Sequence, residues 1–155
     1  MSPSRTKLVE LLILHEGMRL KVYDDKTGSE LRAGDTTKGH PTIGVGRNIA
    51  GDGLGITEDE ARMLLLNDIT RVEKEIQTWK FMDDLNEARQ AVIIDMVFNM
   101  GIVRFNSDKW PKFFKAVIAG KWNDAKKEML DSKWSRQTKT RAQRLSRMME
   151  TGEWH

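Results

Sequence analysis

Seven apolar residues, Ala61, Leu64, Leu65, Ile69, Val72, Ile76 and Trp79, recur at three- and four-residue spacing. That period belongs to one face of an α-helix, and it predicts a single amphipathic helix over residues 57–79, about six turns long. Thr57-Glu58-Asp59-Glu60 supplies a capping box at its start. A helix of this length commits the chain to a largely helical architecture. Residues 88–100 are apolar on nearly every side and end at Gly101, which predicts a buried central helix. Residues 112–119, 122–130 and 138–149 read as further helices, separated at Gly120 and over residues 131–137.

Between Gly17 and Gly55 the texture changes. Short runs, Lys21-Val22-Tyr23 and Thr42-Ile43-Gly44-Val45-Gly46, stand among glycines, the pattern of a small antiparallel sheet with tight turns. Before it, Leu8, Leu11, Leu12 and His15 predict a first helix over residues 4–15, its start marked by Ser2-Pro3-Ser4. The expected fold is α+β and mainly helical. One domain, 1–155, is divided into a lobe over about 13–60 holding the sheet, a connecting helix over 57–79, and a helical lobe over 80–155 that takes in the N-terminal helix. The active-site cleft is expected between the lobes.

The 155 residues include no cysteine, which excludes a disulfide framework and thiolate metal sites. His15, His40 and His155 are scattered, with no metal-ligand spacing, so neither metal nor cofactor is expected. No apolar run is long enough to span a bilayer. The N-terminal apolar stretch is interrupted by Glu10 and lacks a small-residue cleavage site, so no signal peptide is read there and the expected site of accumulation is the cytoplasm. The net charge of +3 is unevenly spread: residues 109–147 hold twelve Lys/Arg against three Asp/Glu. Such a region attracts polyanions, with wall polymer, anionic lipid and nucleic acid all eligible.

The chemically informative segment is His15-Glu16-Gly17-Met18-Arg19-Leu20-Lys21-Val22-Tyr23-Asp24-Asp25, followed by Pro41-Thr42-Ile43-Gly44-Val45-Gly46-Arg47-Asn48. Glu16 ends the first helix, where the negative end of the macrodipole and apolar neighbours would favour the protonated acid. A solvated carboxylate would occupy the same position. Asp24 and Asp25 both stand at a turn, either as turn formers or as a carboxylate directed into a pocket. Thr42 offers a hydroxyl able to hold water, or is simply a β-branched strand residue. Gly44 and Gly46 mark either a bulge or the close approach of another group.

Taken together, Glu-Gly-x-Arg-Leu-x-x-Tyr, an Asp nine residues after the Glu, and Thr-Ile-Gly-x-Gly resemble the catalytic signature of the T-even-type phage lysozymes, glycoside hydrolase family 24. The likeness continues at Asp95-Met96-Val97-Phe98-Asn99-Met100-Gly101, Ser132-Lys133-Trp134, Gln137-Thr138, Arg141-Ala142 and Thr151-Gly152-x-Trp154. The resemblance implies a monomeric muramidase of bacterial peptidoglycan. Glu16 would be its catalytic acid, with Asp25 (chosen over Asp24 by spacing) and Thr42 positioning water for an inverting displacement. It also implies substrate contacts at Phe98, Asn99, Ser107 and Arg141, the last a partner for the catalytic Glu. As an endolysin, the protein would wait in the infected cell's cytoplasm until a separately encoded pore released it.

Two positions depart from the T-even pattern. Arg47 replaces a histidine, and Glu128 replaces a substrate-binding asparagine. Residues 26–41 are longer than their family counterpart and are expected to form an extra hairpin over one end of the cleft. The alternative function is a non-catalytic basic module for walls or nucleic acid, with Trp110, Trp122 and Trp134 as stacking platforms, although these positions also suit a helical core.

Overall fold

The computed structural model describes residues 5–155. The helix-start signal at Ser2-Pro3-Ser4 lies outside them. The chain forms two compact units whose boundary, Arg62/Met63, falls inside a helix.

In the first unit, helix α1 (Arg5–Glu16) contributes no buried residue. It stops where Gly17 adopts a φ of +73°, and the Gly17 N–H bonds back to the Ile13 carbonyl at 2.8 Å. Strands β1 (Arg19–Asp24), β2 (Pro41–Gly44) and β3 (Arg47–Asn48) follow in an antiparallel sheet of order β1-β2-β3. Tyr23 pairs with Thr42 and Asp24 with Pro41, while Thr42 also pairs with Asn48. The sheet read from the glycine-rich stretch is therefore present.

The extra hairpin expected over 26–41 reduces to one antiparallel bridge, Tyr23 with Glu30. The segment has no alternating apolar face to hold longer strands, and it is organised by polar contacts instead. Asp24 is its anchor. Oδ1 accepts the N–H groups of Lys26 (2.9 Å) and Thr27 (3.1 Å), and Oδ2 accepts those of Lys38 and Gly39.

Helix α2 (Glu58–Ile76) opens with the capping box in reciprocal form: the Glu60 N–H donates to Thr57 Oγ1 at 3.2 Å, and the Thr57 N–H donates to Glu60 Oε2 at 2.8 Å. Arg47 forks onto the same carboxylate at 2.8 and 3.2 Å and donates to the Gly55 carbonyl. It is a strut between β3 and the start of α2.

The second unit is helical. Val72 and Ile76 of α2 are buried in it, followed by a short 3-10 turn at Lys80–Asp84. Helix α3 (Glu87–Met100) is capped by Asn86 and ended by Gly101, with Ala88, Val92, Ile93, Met96 and Val97 buried. Around it lie α4 (Pro111–Ile118), α5 (Trp122–Leu130), α6 (Lys133–Thr138) and α7 (Thr140–Thr151). Residues 131–137 are thus not the break expected from the sequence. Ser132 caps a short helix there, its hydroxyl accepting the Ser135 N–H at 3.0 Å, and Lys139 at φ +39° turns the chain into α7.

Fully buried Phe105 packs on Trp79, Trp110, Phe113 and Phe114 with ring centroids 5.2–6.4 Å apart. Trp134 is buried, while Trp110 and Trp122 pack against the same core and Trp122 lies under the Arg89 guanidinium. Trp134 is thus a core residue, and Trp110 and Trp122 are partly buried against the same core, which agrees with the helical-core reading of these positions. Among the described residues no helix is long and apolar enough to cross a membrane.

Candidate active site

One polar pocket of about 360 Å³ in the first unit is lined by Glu16, Arg19, Tyr23, Asp25, Gly28, Thr42, Gly46 and Asn48. Glu16, Asp25 and Thr42 are therefore brought together, although they come from a helix end, a turn and a strand.

Glu16 is the last residue of α1 and is exposed. The apolar surroundings expected for it are not supplied by its own unit. The turn between β2 and β3 passes close to it: a Cβ placed on Gly46 would lie 3.1 Å from Glu16 Oε2, and Gly46 has a φ of +65°. The group approaching Gly46 is thus the Glu16 carboxylate. At Gly44 nothing approaches, and its φ of +69° alone accounts for the glycine.

Successive strand residues face opposite sides, which separates the two adjacent aspartates. Asp24 is buried with four backbone N–H groups around its carboxylate. Burial pushes its pKa up, but these donors outweigh it and bring it from 3.8 to about 2. Asp25 lines the pocket. The His40 backbone N–H, 2.7 Å from Oδ1, is the main influence holding its carboxyl below the usual range. Partial burial opposes this, the His40 ring at 3.3 Å from Oδ2 assists, and the neighbouring Asp24 charge opposes.

A group with a depressed folded-state pKa stabilises the fold above its unfolded value and loses that contribution as pH falls through the folded one. For Asp24 the window runs from about pH 4 to pH 2. Thermal unfolding followed from pH 5 to 2 is expected to show a falling Tm, with a flatter profile in Asp24→Asn. An unchanged profile in that variant would contradict the anchoring role.

Thr42 is buried at 3 % exposure, and its hydroxyl donates to the His40 carbonyl at 3.1 Å. With the proton so directed, Oγ1 presents only acceptor capacity to the pocket. Arg19 reaches the Gly28 carbonyl and lies 4.4 Å over the Tyr23 ring, placing a cation beside the two carboxylates. His40, Arg19, Tyr23 and Asn48 were not singled out in the sequence for roles at this site. For His40 the readable sign was its position two residues before Thr42.

Phe98, Asn99, Ser107 and Arg141 belong to the second unit. Phe98 is 40 % exposed, unlike the core side chains on the rest of α3. Asn99 Oδ1 accepts the Trp134 indole N–H at 2.8 Å, and with Glu128 it lines a groove of about 810 Å³. Ser107 is exposed in the segment between α3 and α4. Arg141 Nε donates to Asp95 on α3 at 2.8 Å.

The phage lysozyme family model matches residues 14–150. The chain is 31 % identical to the pre-baseplate central spike protein Gp5 of Enterobacteria phage T4, covering 94 % of this chain and 28 % of that protein. It is 28 % identical to probable T4-type lysozyme 1 and 26 % identical to probable T4-type lysozyme 2 of Dictyostelium discoideum, with 95 % of each chain covered in both cases. The α+β scaffold presents two carboxylates and a hydroxyl to one polar pocket, residue types that glycoside hydrolysis uses. The chain belongs to the phage lysozyme family.

Proposed function

We propose that this protein is a muramidase that hydrolyses the β-1,4 bond between N-acetylmuramic acid and N-acetylglucosamine in peptidoglycan, with inversion. The reading rests above all on the shared pocket of Glu16, Asp25 and Thr42. Glu16 gives its proton to the leaving glycosidic oxygen. A water in the pocket donates one hydrogen bond to Asp25 and one to Thr42 Oγ1, since both present acceptors there. Its lone pair is then free to face the anomeric carbon. As the C–O bond breaks, the water attacks from the opposite side and loses its proton to Asp25. Phe98, Asn99, Ser107 and Arg141 of the second unit are proposed as substrate-binding residues.

The direct test is the anomer first released from a defined oligosaccharide, followed by proton NMR. The α-anomer at the new reducing end is the expected product. First release of the β-anomer would mean retention, with Asp25 as a nucleophile.

For the biological setting, the proposal is an endolysin held in the host cytoplasm and released through a pore. Expression is expected to leave bacteria intact until chloroform permeabilises the membrane, and lysis without chloroform would overturn this placement. The basic residues 109–147 would hold the released enzyme on the anionic envelope, a contact that weakens with salt. The likeness to the phage T4 spike protein favours a second reading, a lysozyme carried in a virion. Antibody detection in purified particles, rather than only in the infected cytosol, would select it.

A further inference from the structure

The backbone N–H, the carbonyl and the ring Nδ1 of His40 all face Asp25 or Thr42, the two residues proposed to hold the water. Its N–H donates to Asp25 Oδ1 at 2.7 Å, and its carbonyl accepts both the Asp25 N–H at 3.1 Å and the Thr42 hydroxyl at 3.1 Å. Its ring Nδ1 lies 3.3 Å from Asp25 Oδ2. The register Asp24↔Pro41 explains the placement, because one step further along the two strands brings Asp25 opposite His40. The residue before it is fitted to the same purpose. A Cβ on Gly39 would overlap Asp25 Oδ1 and would sit 2.9 Å from the Lys26 backbone nitrogen, so only glycine lets this backbone come so close to the carboxylate.

We propose that His40 is a positioning residue for the hydrolysis, its Nδ1–H fixing the second oxygen of Asp25 so that the carboxylate meets the attacking water in one orientation. This rests on the muramidase reading above. Asp25 is about half exposed and sits at a turn, where a two-bond side chain otherwise samples several rotamers. The backbone contact to Oδ1 alone leaves the carboxylate free to pivot about that bond. The ring closes the second point of the clamp, as a group supporting a reacting residue must do if the reacting geometry is to be held.

The backbone half of the clamp survives any change of the side chain, so the expected loss is smaller than that from removing the Asp25 carboxylate itself. His40→Ala is expected to lower kcat on a soluble peptidoglycan oligosaccharide about 10-fold, with KM changed less than about twofold. Asparagine places its amide N–H near the position of Nδ1, whereas glutamine places it near Nε2. His40→Asn is therefore expected to regain most of the lost kcat, and His40→Gln to resemble alanine. Wild-type kcat in His40→Ala, or equal losses in the Ala, Asn and Gln variants, would overturn the inference. So would a loss that tracks a lowered Tm. Wild type and Glu16→Gln are assayed alongside. If wild type cleaves and Glu16→Gln does not, the muramidase reading stands and the His40 variants judge this inference alone. An inactive wild type would sink both.

Discussion

Glu16→Gln is expected to abolish wall lysis while leaving the fold intact. The amide matches the carboxyl in shape, so the contact with the turn at Gly46 persists, but it has no acidic proton to give the leaving oxygen. Exposure of Glu16 means that the substitution buries no new polar group. A positioned general acid contributes about 100- to 10,000-fold, and a loss in that range is the expected result. Turbidity clearing of bacterial walls measures it, with a thermal melt to confirm folding. Clearing at the wild-type rate would remove Glu16 from the mechanism.

The adjacent aspartates are expected to separate just as sharply. Asp25→Asn removes the group proposed to take the water's proton, and a kcat loss of about 100-fold is expected with a Tm near that of wild type. Asp24→Asn should do the reverse. Its amide keeps one acceptor oxygen where two now serve four N–H donors, so the sheet unit should melt earlier while each folded molecule retains most of its turnover. Measuring kcat and Tm on both variants decides it. The opposite pattern would mean that the pocket aspartate has been misassigned.

The long helix was legible because its signals agree: an apolar stripe at helical period and a Thr-x-x-Glu box that closes as drawn. Gly101 ends α3 for the same reason. Helix α6 was missed because six mostly polar residues make no stripe, and its one sign, Ser132 as a cap, is also what a turn displays. The course of 26–41 was not readable, since it depends on Asp24 collecting N–H groups from residues 14 and 15 positions away. The nine-residue spacing of the family signature did select Asp25, and Asp25 is the aspartate that lines the pocket, while the structural role of Asp24 went unread. His40 drew notice only as an unmatched metal ligand. Its partnership with Asp25 is created by strand register, which local sequence does not specify here.

The Asp24 anchor also bears on how much change the loop tolerates. By gripping Lys26 and Thr27 on one side and Lys38 and Gly39 on the other, it fixes both ends of the segment at the sheet. Within that frame Arg32 and Asp35 close a small turn on each other, through the Arg32 N–H to Asp35 Oδ2 at 2.7 Å and the Asp35 N–H to the Arg32 carbonyl at 3.0 Å. The stretch between the ends thus closes on itself rather than on Asp25 or Thr42. Changes of length or sequence within residues 32–37 are therefore expected to leave Asp25 and Thr42 in place, and the Tm and turnover of a variant shortened there would measure how far that tolerance extends.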